Sequence, residues 1–178
     1  MIKDQSIEKF LEEVASNAPT PGGGAVAAVT GATAAALVEM VANLSKSEEV
    51  KSKKFEKTKT LRQKLLTLAD EDAAAFNAVM AAFRVSKEDP GRKEKIQKAF
   101  KAAAETPLKI AKLAKEVNLL AKEILEVGNK NAASDAKTAI YLSEAAKKSA
   151  FANVEINLTY IKDGNFIKKM EKEVASLK

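Results

Sequence analysis

Four polar residues stand where the helical pattern asks for apolar ones, and they are the chain's candidates for chemistry. Leu61, Leu65, Leu68, Phe76, Val79 and Phe83 recur at spacings of three and four, the mark of one helix face. Asp72 fills the gap in that stripe, four residues from both Leu68 and Phe76. Burial raises a carboxyl pKa and suits the group to general acid–base work. The competing reading is a structural Asp satisfied by a helix terminus or a lysine. Asp70 points to a different side, because residues two apart do not share a helix face. Farther on, Lys137, Glu144, Lys148, Glu155 and Lys162 mark a solvated face. That leaves Asp135, Asn153 and Asn157 inward with Leu142, Ala146 and Tyr160. Buried amides and acids need partners, which are either ligand atoms or neighbouring helices. Asp135 and Asn153 are 18 residues apart, about 27 Å on a straight helix. They therefore serve separate ends of an extended ligand, or meet only in a symmetric oligomer.

The third element is the run Pro19-Thr20-Pro21-Gly22-Gly23-Gly24. Its glycines admit close backbone approach, and the helix N-terminus after it offers free N–H groups and partial positive charge to an anion. It lacks the Gly-Lys-Ser/Thr ending of a phosphate loop and follows no strand, so it is not a dinucleotide fingerprint. Pro and Gly also mark ordinary turns, and Gly also permits tight packing.

Composition removes much chemistry from consideration. The chain has no Cys and no His, which excludes disulfides, thiolate nucleophiles, Cys-ligated zinc and every His-containing triad. Proton transfer falls to Asp, Glu, Lys, Tyr, water or the substrate. No metal site is expected. The net charge of +6 comes from 30 basic and 24 acidic residues interleaved along the chain, with only three arginines, Arg62, Arg84 and Arg92. That is a poor supply of bidentate base readers, so no nucleic-acid partner is expected. The Lys-rich stretch Lys46–Lys64 reads as a solvated helix face.

These residues must be held by helices. At 178 residues, 46% hydrophobic and rich in Ala, the chain fits one all-α domain over 1–178, a bundle of about six to seven helices. Helices are expected from Ser6 to about Ser16 (with Ile7, Phe10, Leu11 and Val14 as its apolar face), from about Gly24 to Leu44, and to about Phe83. The second carries one charge, Glu39, over Ala25–Leu44 and reads as a buried central Ala/Gly-rich helix rather than a membrane span. A polar turn is expected around Ser45–Glu49. Asp89-Pro90 reads as an N-cap with Pro at the first helical position. Pro107 should kink or divide the helix that follows, and Gly128-Asn129 should stop it. Ser134 or Asp135 opens another helix to about Ile161, and Asp163-Gly164-Asn165 precedes a short last one. The N-terminus lacks a signal-peptide pattern, and a cytoplasmic protein is expected.

At this point the sequence resembles a known family. Ala18-Pro-Thr-Pro-Gly-Gly-Gly-Ala-Val-Ala-Ala-Val29, Asp70-Glu-Asp72-Ala-Ala-Ala-Phe76, Ser134-Asp135-Ala136 and Asn153-Val-Glu-Ile-Asn157 are similar, in order, to motifs of the formiminotransferase-cyclodeaminase family. The likeness covers Ile7 to Asn157. Where a Pro-containing loop is expected in many relatives, residues 128 to 133 here are Gly-Asn-Lys-Asn-Ala-Ala. The resemblance implies a homodimer acting on a tetrahydrofolate derivative, with no tightly bound cofactor. It implies formiminotetrahydrofolate cyclodeaminase activity, giving 5,10-methenyltetrahydrofolate and ammonia. The alternatives are methenyltetrahydrofolate cyclohydrolase activity, giving 10-formyltetrahydrofolate, and a non-catalytic folate-binding module. In that frame Asp72 or Asp135 is the acid–base near N5 or N10. Asn153 and Asn157 hydrogen-bond the pterin. Pro21, Gly22, Gly23, Gly24 and Ser134 complete the binding residues, the glycine loop holding a polar or anionic part of the ligand.

Overall fold

The computed structural model describes residues 1–46, 50 and 53–178. Residues 47–49 of the expected turn around Ser45–Glu49, and with 51–52 part of the Lys-rich stretch Lys46–Lys64, lie outside the described residues. Six α-helices and two short 3-10 turns make up the rest, with no strand among the described residues. The helices are α1 (Ile7–Ala15), α2 (Gly23–Asn43), α3 (Lys53–Arg84), α4 (Arg92–Val127), α5 (Ala133–Leu158) and α6 (Gly164–Leu177).

Helix α2 is the hub, packed against α3, α4 and α5. By length and apolarity it could cross a membrane; here it sits at the centre of the bundle. Ala25, Ala27, Ala28, Ala34 and Ala35 are almost wholly buried, and the absence of larger side chains lets the neighbours come close. A Cβ on Gly31 would meet Leu65 Cδ2 at 3.3 Å and Ala146 Cβ at 3.5 Å, so α3 and α5 both press on that position.

Three details differ from the sequence expectation. Of the apolar residues expected to form the inner face of α1, only Phe10 is buried, while Ile7 and Leu11 face outward. Helix α4 starts at Arg92, not Pro90, because Asp89 Oδ1 accepts the Gly91 N–H at 2.7 Å, its other oxygen pairs with Lys95, and Gly91 takes the N-cap position. Pro107 does not divide α4, which runs unbroken through it.

The reason α4 survives its proline lies on α5. Pro107 has no N–H, so the Ala103 carbonyl, four residues back, loses its helical donor. The Asn157 side-chain amide donates to that carbonyl at 3.1 Å and to the Asn153 carbonyl at 2.8 Å. A second cross-link lies farther along the same interface, where Asn118 Nδ2 donates to the Ile140 carbonyl at 3.1 Å and to Ser143 Oγ at 2.9 Å. At the end of α4, Gly128 is needed for space: a Cβ there would overlap the Ile124 carbonyl and stand 3.1 Å from Val41 Cγ1. Asn129 then ties this corner to α2 through the Leu44 carbonyl and Ser45 Oγ, both at 2.9 Å.

This account makes Pro107 and Asn157 energetically dependent. Asn157→Ala should cost about 1–3 kcal/mol by orphaning the Ala103 carbonyl. In a Pro107→Ala background, where a main-chain N–H serves that carbonyl, the same change should cost much less. A double-mutant cycle on denaturant midpoints measures the coupling; additive values would refute it.

Candidate functional site

Asp72 sits on α3 where that helix passes the N-terminus of α2. A Cβ on Gly24 would overlap the Asp72 carboxylate, so the third glycine of the loop is what lets the acid approach. The Ala25 N–H donates to it. Gly23 and Gly24, the first two helical residues, carry N–H groups that no turn of the helix can satisfy. The anion that the sequence assigns to this terminus is thus supplied first by the protein itself. Burial is the larger influence on Asp72 and pushes its carboxyl above the ordinary value of 3.8, while the Ala25 hydrogen bond pulls the other way. Both sequence readings of Asp72 therefore describe one residue: a helix terminus satisfies it, and it also faces open space.

That space is a cavity of about 430 Å³ between the glycine loop, α3, α4 and α5. Gly22, Gly23, Gly24, Asp72, Asn153 and Asn157 all line it. Among the described residues, Asp72 is the only charged side chain on its wall. Asn153 lies against Gly23, whose Cβ, if present, would stand 3.2 Å from Asn153 Nδ2. The two amides present a definite polarity. Asn153 Nδ2 donates to the Ser149 carbonyl at 2.8 Å, and both donated bonds of Asn157 end on main-chain carbonyls. What these side chains have to spare for a ligand is chiefly oxygen. The polar end of the cavity thus offers a carboxylate and two amide oxygens as acceptors, with the α2 terminus as donor.

Pro21 is buried beneath the loop, flanked by Thr20 and Gly22, which reach the cavity. The structure does not bring Ser134 and Asp135 here. Ser134 is exposed and Asp135 half-buried in the first turn of α5, and since that helix is unbroken they stay about 27 Å from Asn153. Asp70 faces away, as expected, and accepts the Ile2 N–H at 2.6 Å. Sequence reasoning missed the far end of the cavity. Met80, Phe83, Phe100, Ile156 and Tyr160 line it, although Phe83 reads as core by spacing and is 43% exposed. An exposed aromatic at a core position is a signal, but exposure is not legible before the fold is known.

Residues 6–176 match the sequence profile described as formiminotransferase-cyclodeaminase. The chain belongs to that family. It is 40% identical to the methenyltetrahydrofolate cyclohydrolase of Methylorubrum extorquens, over 99% of this chain and 90% of that one. It is 29% identical to the formimidoyltransferase-cyclodeaminase of Rattus norvegicus, of whose length it spans about a third, 34%. The crystal structure of the formiminotetrahydrofolate cyclodeaminase from Thermotoga maritima superposes with a TM-score of 0.89 at 35% identity, covering 99% of this chain and 90% of that one.

Two outcomes test the geometry. Gly24→Ala should displace the Asp72 carboxylate and lower turnover about as far as Asp72→Asn does, with the fold retained in both by circular dichroism. The raised carboxyl pKa also has a sign. The folded state holds this proton to higher pH than the unfolded chain, so the ionised group costs stability above its raised pKa and nothing below the ordinary one. Wild type should lose stability relative to Asp72→Asn as pH rises from about 3.8 through the raised value. Melting curves across that window would show a flat difference if burial were not the cause.

Proposed function

We propose that this protein binds a tetrahydrofolate with a one-carbon unit between N5 and N10 and opens the methenyl bridge with water, giving the 10-formyl derivative. The observation that carries the reading is a single half-buried carboxylate on an otherwise uncharged wall. The methenyl bridge is an amidinium-type cation, and a lone carboxylate in a poorly solvated cavity is its electrostatic complement. The same group moves the protons. Asp72 takes one from water as its oxygen bonds to the bridge carbon. It then gives that proton to N5 as the carbon–N5 bond breaks, and the new hydroxyl releases its proton to solvent as the formyl C=O forms. The net change is water in and one proton out. A carboxyl held above its ordinary pKa by burial is suited to both transfers. Asn153 and Asn157, with oxygens to spare, accept from the N–H edge of the pterin. Support for water as the reactant comes from the likeness to the cyclohydrolase over nearly both whole chains.

A second reading, cyclodeamination of the 5-formimino compound, is favoured by the likeness to the Thermotoga maritima protein. It uses the same atoms: N10 attacks the carbon of the protonated formimino group, and Asp72 carries the proton from N10 to the formimino nitrogen. That nitrogen leaves as ammonia when its bond to the carbon breaks, the positive charge staying on the methenyl product. The proposal includes a homodimer in the cytoplasm. A role for Asp135 at this cavity would require the second copy to bring it there.

The test is to assay 5,10-methenyl- and 5-formiminotetrahydrofolate separately. Loss of the methenyl near-ultraviolet absorbance is the expected result, and ammonia release would give the second reading instead. Asp72→Asn should lower turnover by about 100-fold or more, while Asp135→Asn stays close to the wild-type rate. No turnover of either compound, or a fully active Asp72→Asn, would refute the proposal.

A further inference from the structure

The cavity has two chemically different ends. At one end stand Asp72, Asn153 and the α2 terminus. At the other, Val79 and Phe100 form a buried floor, 5% and 7% exposed. Around that floor Met80, Phe83, Ile156 and Tyr160 are 38%, 43%, 54% and 54% exposed. The rings are ordered: Tyr160 stacks on Phe100 with centroids 4.8 Å apart and planes 12° apart, and Phe83 meets Phe100 edge-on at 5.9 Å. The Tyr160 main chain is pinned as well, its carbonyl accepting from Gln97 Nε2 at 2.9 Å. Four large apolar side chains held open around one cavity gain free energy when something flat and apolar covers them.

We infer that this aromatic end is the subsite for the aryl ring of the substrate, with Tyr160 as the residue that sets affinity for it. The inference rests on the folate reading and gives the ligand a direction. The hydrogen-bonding heterocycle lies toward Asn153 and the glycines, the reacting carbon lies at Asp72, and the p-aminobenzoyl ring leaves between Phe83 and Tyr160. Two observations fix the occupant. The carboxylate of Asp72 and the Asn153 amide stand at the glycine end, while apart from the Tyr160 hydroxyl the side chains of Val79, Met80, Phe83, Phe100, Ile156 and Tyr160 are apolar, so the part without donors on its faces belongs here. Tyr160 lies in the turn just past the end of α5, about 10 Å beyond Asn153 at the helical rise, room for a para-substituted ring between the reacting centre and solvent. Offset or edge-on ring contacts with Phe83 and Tyr160 would hold it.

The experiment uses p-aminobenzoylglutamate as a fragment and measures its binding by calorimetry, with no turnover required. Wild type, Tyr160→Phe and Asp72→Asn should bind it alike, since the hydroxyl and the reacting end play no part. Tyr160→Ala and Phe83→Ala should each weaken it about five- to tenfold while melting near the wild-type temperature. For the full substrate, Tyr160→Ala should raise KM with kcat nearly unchanged. No binding to wild type, equal binding to Tyr160→Ala, or loss of binding in Asp72→Asn would overturn the inference. So would a Tyr160→Ala variant whose only change is its sedimentation, which would make this rim a contact between two copies. Fragment binding by a protein that turns over no folate would leave the subsite standing and remove the reaction.

Discussion

The approach of three helices to α2 is the constraint on which the rest of this structure depends. Helices packed through large side chains keep their axes 8–10 Å apart. Here Gly and Ala on the buried sides of α2 let side chains of α3 and α5 reach its backbone, and the same absence of bulk that builds the core builds the site. Gly31 receives Leu65 and Ala146, Gly23 receives Asn153, and Gly24 receives the Asp72 carboxylate. A side chain at position 24 would be as disruptive to the chemistry as one at position 31 to the packing.

Without His or Cys, the protein must obtain a reactive proton carrier from an ordinary residue by choosing its surroundings. Removing water raises the carboxyl pKa of Asp72, and the exposed N–H groups of a helix terminus keep its ionised form from being prohibitive. Both influences meet where α2 closes on the carboxylate, Gly24 packing against it and the Ala25 N–H donating to it. The amides add a fixed polarity, since the main chain takes both N–H groups of Asn157 and one of Asn153 and leaves their oxygens.

The all-α class and the buried second helix were legible in the sequence, from helical spacing and from a stretch almost without charge, whereas the meeting of Asp72, Asn153, Asn157 and the glycines at one cavity was implied only by the family resemblance. The separation of Asp135 from Asn153 was legible too, since a straight helix has a fixed rise. What was not legible depends on contacts between elements. Phe83 and Tyr160 have the spacing of core residues, and only the placement of α4 and α5 shows that they rim an opening. Pro107 carries the local signal of a helix break, and the donor that rescues its neighbour lies 54 positions away, between Asn157 and Ala103. The outward turn of Ile7 and Leu11 likewise depends on what α1 meets, not on its own periodicity.

The proline in α4 has one more consequence. Helices α4 and α5 pack together and both bury many alanines, among them Ala104, Ala111 and Ala114 on α4 and Ala136, Ala139 and Ala150 on α5. Methyl groups of equal size give a smooth seam, along which one helix could slide by a turn with little change in contact area. A free carbonyl at Ala103 and the amide of Asn118 break that symmetry, because each finds its partner in only one alignment. The missing N–H of Pro107 thus works as an alignment mark, fixing which turn of α5 stands beside which turn of α4 and so how far along the seam Asn153 comes to rest.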